Sequence, residues 1–206
     1  MNTIPIIQKQ VTTQVAKSNT LQIIIVVIAV LLVIGYLKFG STSLTFTKAS
    51  DEKFHLVRDM ADKEKAAEML AEIKRRLQLL INYCITNYPG NPDVQLMKQR
   101  FKTQNIQETD LSDSGTSYTI DKGKELHLCL RNKEDTKLHQ INILMFVSIH
   151  ELAHIQSTSY GHNGEFGKNF VFLLKQAAKI GIYKPVDYSK NPVKFCGMDV
   201  NDSPIF

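Results

Sequence analysis

His150-Glu151-Leu152-Ala153-His154 sets two imidazoles four positions apart with a carboxylate beside the first. On a helix, residues at this spacing share a face, so both histidines can reach one ion, while Glu151, offset by one position, can address a water beside that ion. A catalytic zinc normally takes three protein ligands and keeps a fourth position open. His162 is the best third donor, because the short turn Ser157-Thr158-Ser159-Tyr160-Gly161 can bring it back toward the pair. Zn2+ held by His150, His154 and His162, with Glu151 as catalytic base, would polarise a carbonyl, acidify water and move the proton, which is what peptide hydrolysis requires. His55, His127 and His139 stand outside this group and read as surface or packing residues. Tyr160 reads as a packing residue of the turn, and Arg131 as a solubilising charge on an edge strand.

The elements that must position these groups follow from hydrophobic spacing. The motif lies inside an apolar pattern of Ile143, Leu144, Val147 and Ile155, predicting a helix over about His139 to Gln156. A second helix is predicted from about Gly164 to Ile180, with Phe166, Phe170, Leu173, Leu174 and Ala177 as its buried stripe and Gly181 as its stop. Upstream, Leu70, Ile73, Leu77, Leu80, Ile81 and Cys84 form the stripe of a long amphipathic helix placed at about Asp51 to Asn87. Pro89-Gly90-Asn91-Pro92 ends it, and Asn91 with Pro92 caps a short helix running to about Lys102. A polar stretch, Thr103 to Ser117, leads to a hairpin of Tyr118 to Asp121 and Glu125 to Arg131, turning at Gly123. The tail, Ile182 to Phe206, reads as irregular.

The run Ile23 to Leu37 is almost wholly Ile, Val and Leu and carries no charge. At 1.5 Å per residue it approaches a hydrocarbon thickness of about 30 Å, so residues 21–38 are predicted to be a transmembrane helix with Tyr36 and Lys38 at the interface. About twenty mostly polar residues precede it, unlike the short basic leader of a signal peptide. The predicted organisation is a polar segment at 1–20, the spanning helix at 21–38, a Ser/Thr-rich linker at 39–50 and a catalytic domain at 51–206. The expected location is a single-pass membrane protein. Cys84, Cys129 and Cys196 are odd in number, far apart and without CxxC spacing, so neither a disulfide framework nor a cysteine metal site is expected, and the domain is placed on a reducing, cytosolic side. The net charge of +5 is scattered among acidic residues, as on solvated helix faces, which argues against nucleic acid as a partner.

His-Glu-Leu-Ala-His followed by Gly161-His162-Asn163-Gly164-Glu165-Phe166 resembles the zinc peptidases of the WLM and SprT/Spartan type, especially WLM-like proteins of large DNA viruses. Phe195-Cys196-Gly197-Met198 and the segments Ser117-Tyr118-Thr119 and Leu128-Cys129-Leu130-Arg131 are similar to those viral proteins too. The resemblance covers about Leu70 to Met198. It implies an α+β, small gluzincin-type zincin fold with a hairpin edge strand over which a protein substrate could lie, His150, His154 and His162 as zinc ligands and Glu151 as base. The interval from His154 to His162 is longer than the usual WLM spacing and differs from HExxHxxGxxH. Two functions compete. One is a membrane-anchored zinc metallopeptidase. The other is a minor capsid protein of a virion, tethering an inner membrane to capsid proteins, with a structural or idle zinc site.

Overall fold

The computed structural model describes residues 21–34, 43–113 and 115–206. Residues 1–42 and Ser43–Phe206 form separate units. In the first, helix α1 is described over residues 21–34. Among the described residues no helix is long and apolar enough to cross a membrane. The predicted transmembrane helix at 21–38 and the single-pass membrane location are therefore corrected. The polar segment 1–20, Tyr36 and Lys38 lie outside the described residues.

The second unit starts inside the stretch read as a linker. β1 (Leu44–Lys48) and β2 (Phe54–Arg58) pair antiparallel, with Thr47 opposite His55 and Thr45 opposite Val57. The long helix, α2 (Lys63–Asn87), therefore begins well after Asp51. In β2, His55 and Val57 point inward and Phe54 outward, a period of two, whereas the helical stripe begins only at Ala66 and Ala67. From Leu70 to Cys84 the predicted stripe is buried. α3 (Pro92–Arg100) is capped as expected, the Asn91 side chain accepting from the amides of Asp93 and Val94 at 2.9 and 3.4 Å.

The polar stretch after α3 contains a strand, β3 (Ile106–Glu108). It joins β4 (Tyr118–Ile120) and β5 (Glu125–Leu128) in the order β3-β5-β4, parallel to β5, with β4 antiparallel on the other side. Leu126, Leu128 and Leu130 are buried. So is Arg131, at 0% exposure, which corrects its reading as a solubilising edge charge. β5 is the middle strand, and just beyond it Arg131 enters an ionic cluster. Its Nε donates to Glu108 at 3.0 Å and its Nη1 to both Asp62 oxygens at 2.6 and 2.8 Å, while the Arg58 amide donates to the other Glu108 oxygen at 2.7 Å.

α4 (Ile141–Gln156) is the central helix, buried on most of its surface and packed on α2, α3 and α5 (Gly164–Lys179), with β4 alongside. The tail is less irregular than expected. β6 (Val193–Phe195) and β7 (Met198–Val200) form a hairpin whose two turn residues, Cys196 and Gly197, both have positive φ, 50° and 80°.

Cys196 is bonded to Cys129 in a disulfide closing 67 residues of chain, contrary to the reading of three unpaired cysteines. With two of the three cysteines bonded, free thiols give no ground for placing the domain on a reducing side. Cys84 alone is a free thiol among the described residues, and burial pushes it up to about 12, so it is inert. Removing the bridge as Cys129→Ser with Cys196→Ser is expected to cost about 3 kcal/mol of folding stability. Urea unfolding with and without reductant measures this: the wild-type midpoint should fall on reduction, and the double variant's should not respond.

Candidate metal centre

His150 and His154 stand one turn apart on α4, near its C-terminal end. The helix stops at Ser157, whose hydroxyl donates back to the Ala153 carbonyl at 2.8 Å and accepts from Asn169 on α5 at 3.1 Å. The chain then reverses through Gly161, at a φ of +77° that disfavours any side chain. Asn163 caps α5, its side chain accepting from the amides of Glu165 and Phe166, both at 3.1 Å. His162 precedes this cap. It faces back on the pair.

The three Nε2 atoms lie 3.0 Å (His150 to His162), 3.1 Å (His154 to His162) and 3.3 Å (His150 to His154) apart. Three nitrogens bound at 2.0 to 2.1 Å in tetrahedral directions stand about 3.3 Å from one another, so the spacing suits a small divalent cation. The cluster could hold a metal ion. The Phe166 ring lies against all three imidazoles, with centroids 4.8, 4.3 and 4.7 Å from His150, His154 and His162. Burial, then the neighbouring imidazoles His154 and His162, pushes His150 down to about 3; burial, His162 and Lys122 push His154 down to about 4. Both rings are thus neutral at pH 7, the form that ligates.

Glu151 is buried on α4 at 5% exposure and takes a hydrogen bond from the Thr119 backbone amide of β4. Burial pushes its carboxyl up to about 8, against the effect of that amide. A carboxyl poised near neutrality is suited to taking up and releasing a proton.

Two cations close the C-terminal end of α4. Arg100 donates to the carbonyls of Ile155 and Ser157 at 3.0 and 2.8 Å. Lys122, on the turn between β4 and β5, donates to the carbonyls of His154, at 3.3 Å, and Ser159, and lies 4.4 Å from the Tyr160 ring centroid. Tyr160 itself is 80% exposed, which corrects its reading as a packing residue; its ring meets the Lys122 cation instead. From α5, Glu165 accepts from the amide and hydroxyl of Thr158 and from the amide and hydroxyl of Ser159.

No family model matches the sequence. Protein R325 of Acanthamoeba polyphaga mimivirus is 35% identical over 189 residues, spanning 87% of this chain and 96% of R325. The chain belongs to the family of R325. Protein 136R of invertebrate iridescent virus 6 is 30% identical over 125 residues, 56% of this chain and 64% of 136R. Protein 042R of invertebrate iridescent virus 3 is 41% identical over 69 residues, 34% of this chain and 43% of 042R. The crystal structure of Wss1 from Saccharomyces cerevisiae is similar over 58% of this chain and 82% of Wss1, with a TM-score of 0.45 and 20% identity.

Of the residues singled out from sequence in this member of the R325 family, His150, His154 and His162 come together and Glu151 lies on the same helix. His55, His127 and His139 do not join them: His55 pairs with Asp51 at 3.1 Å, His127 stacks on Tyr118 and His139 on Phe195. Sequence reading missed Lys122, Arg100 and Glu165 as supports of the site. For Glu165 a signal was present, since it follows a Ser/Thr pair by one loop and directly succeeds an Asn-Gly start to a helix.

Proposed function

We propose that the chain is a zinc-dependent peptidase of the WLM/SprT type, with His150, His154 and His162 as ligands and Glu151 as general base. The observation that carries this reading is the convergence of three imidazole nitrogens at 3.0 to 3.3 Å, with a buried carboxyl next to the first of them in sequence. When bound there, zinc would act as a Lewis acid toward a peptide carbonyl and make water more acidic.

The remaining work falls to the protein's own groups. Glu151 takes a proton from the attacking water as a C–O bond forms at the scissile carbonyl carbon. It then delivers that proton to the amide nitrogen as the C–N bond breaks, so the leaving group departs as a neutral amine. The Thr119 amide fixes the Glu151 carboxylate. Phe166 lies against the imidazoles, and His162 is exposed, so the cluster can be reached from solvent. Among the described residues β4 has a strand neighbour on one side only, and those of its outer backbone groups not already used, as the Thr119 amide is by Glu151, can pair with an extended protein segment, which aligns a backbone rather than a particular side chain.

The tether between membrane and capsid required a spanning helix, and it is withdrawn with that helix. The peptidase reading is tested with a fluorogenic mixture of unstructured peptides. Zinc-loaded protein should cleave them, a chelator should stop cleavage, and added zinc should restore it. Equal cleavage with and without chelator would contradict the reading.

A further inference from the structure

The loop that returns His162 to the other two imidazoles has little to hold it by packing. Thr158, Tyr160, Gly161 and His162 are exposed, and only Ser157 is buried. Its shape is instead set by polar contacts, and most converge on one side chain. One Glu165 oxygen accepts from the Thr158 amide at 2.6 Å and the Thr158 hydroxyl at 2.8 Å. The other accepts from the Ser159 amide at 3.0 Å and from the Ser159 hydroxyl. Asn163 adds a bond to the same hydroxyl at 2.7 Å. Glu165 is thus saturated by the loop, and it stands in the first turn of α5, where a helix terminus favours a carboxylate. His150 and His154 need no such help, because α4 fixes them.

We propose that Glu165 is a positioning residue for the metal centre: by ordering residues 158–162 it presents His162 to the ion, and so sets metal affinity without touching the metal. The proposal rests on the metal-site reading above. Without the carboxylate, the amides of Thr158 and Ser159 turn to water, the loop samples many shapes, and His162 must be ordered anew each time an ion binds. Supporting groups of this kind typically contribute about 10- to 100-fold in metal affinity. The effect should pass entirely through His162.

The test is a double-variant cycle on the full chain, reading Zn2+ affinity by competition with a chromophoric chelator and the visible spectrum of the Co2+ form. Glu165→Ala should bind Zn2+ about 10- to 100-fold more weakly, and its Co2+ spectrum should move toward that of His162→Ala. Glu165→Gln, which keeps one accepting oxygen, should fall between wild type and Glu165→Ala. Adding Glu165→Ala to His162→Ala should weaken binding no further. Wild-type affinity in both Glu165 variants, alongside weakened His162→Ala, would overturn the role of Glu165 and leave the metal site standing. Losses that multiply in the double variant would also overturn it, since a contribution to general stability alone behaves that way. If His150→Ala and His162→Ala both bind Zn2+ as wild type does, the metal reading itself falls, and this inference with it.

Discussion

Glu151→Gln is expected to lower peptide hydrolysis by about 10²- to 10⁴-fold, the range lost with a general base, while zinc content stays at the wild-type level. The two readouts separate because the substitution keeps shape and volume in a buried position but removes the ability to accept a proton. The Thr119 amide can still donate to the remaining carbonyl oxygen, so β4 should stay in place. Steady-state cleavage together with elemental analysis of the same samples checks this. Undiminished turnover in the variant would remove Glu151 from the mechanism and leave the three imidazoles as a site of another kind.

The second large effect is expected far from the metal. Glu108 is wholly buried between Arg131, also wholly buried, and Arg58. Burial raises its carboxyl pKa, and the Arg58 amide and both guanidiniums work against that shift. Glu108→Ala removes the buried carboxylate that Arg131 and Arg58 share, leaving Arg131 to Asp62 and Arg58 to the neutral acceptors of Thr109 and Asp110. It should cost about 5 kcal/mol, because removing one partner of a buried pair leaves charge poorly compensated. For a domain of this size the melting temperature should fall by about 10 to 20 °C. Glu108→Leu combined with Arg131→Met should lose less than the sum of the two single changes, since the pair is then replaced rather than broken. Calorimetry on the four proteins reads the coupling directly.

The same cluster shows why part of the fold was hidden from sequence reading. β3 is three residues long and buries a glutamate, so neither length nor hydrophobic alternation marks it as a strand. Arg131 looks like a surface charge until Glu108, from β3, and Asp62, beside the start of α2, are brought to it across long stretches of chain. The disulfide is hidden for a similar reason: Cys129 and Cys196 are 67 residues apart, and no local spacing announces the pair. Residues 44–58 misled in another way. Their short alternation was absorbed into a linker and into the start of a strong helical stripe.

What was legible is what depends on local geometry. Two histidines at helical spacing inside an apolar pattern define their own face, so His150 and His154 could be placed before any fold was known. The stripes of α2 and α5 and the Asn91 cap are local in the same sense. His162 needed a loop to fold back, and the groups that fold it, Lys122 and Glu165, act through backbone contacts that residue types alone do not reveal. The apolar run near the N-terminus was legible as a helix but not as a span. Hydropathy measures what a segment would tolerate, whereas crossing a bilayer demands a helix both long and apolar enough, and among the described residues there is none.

The central claim is that one ion is held by three imidazoles, and X-ray absorption at the zinc edge of the loaded protein tests it most directly. The account predicts one zinc per chain with a first shell of three imidazole nitrogens at about 2.0 to 2.1 Å and one oxygen donor, the shell dropping to two imidazoles in His162→Ala. A wild-type shell lacking three imidazoles, or one unchanged by the loss of His162, would contradict it.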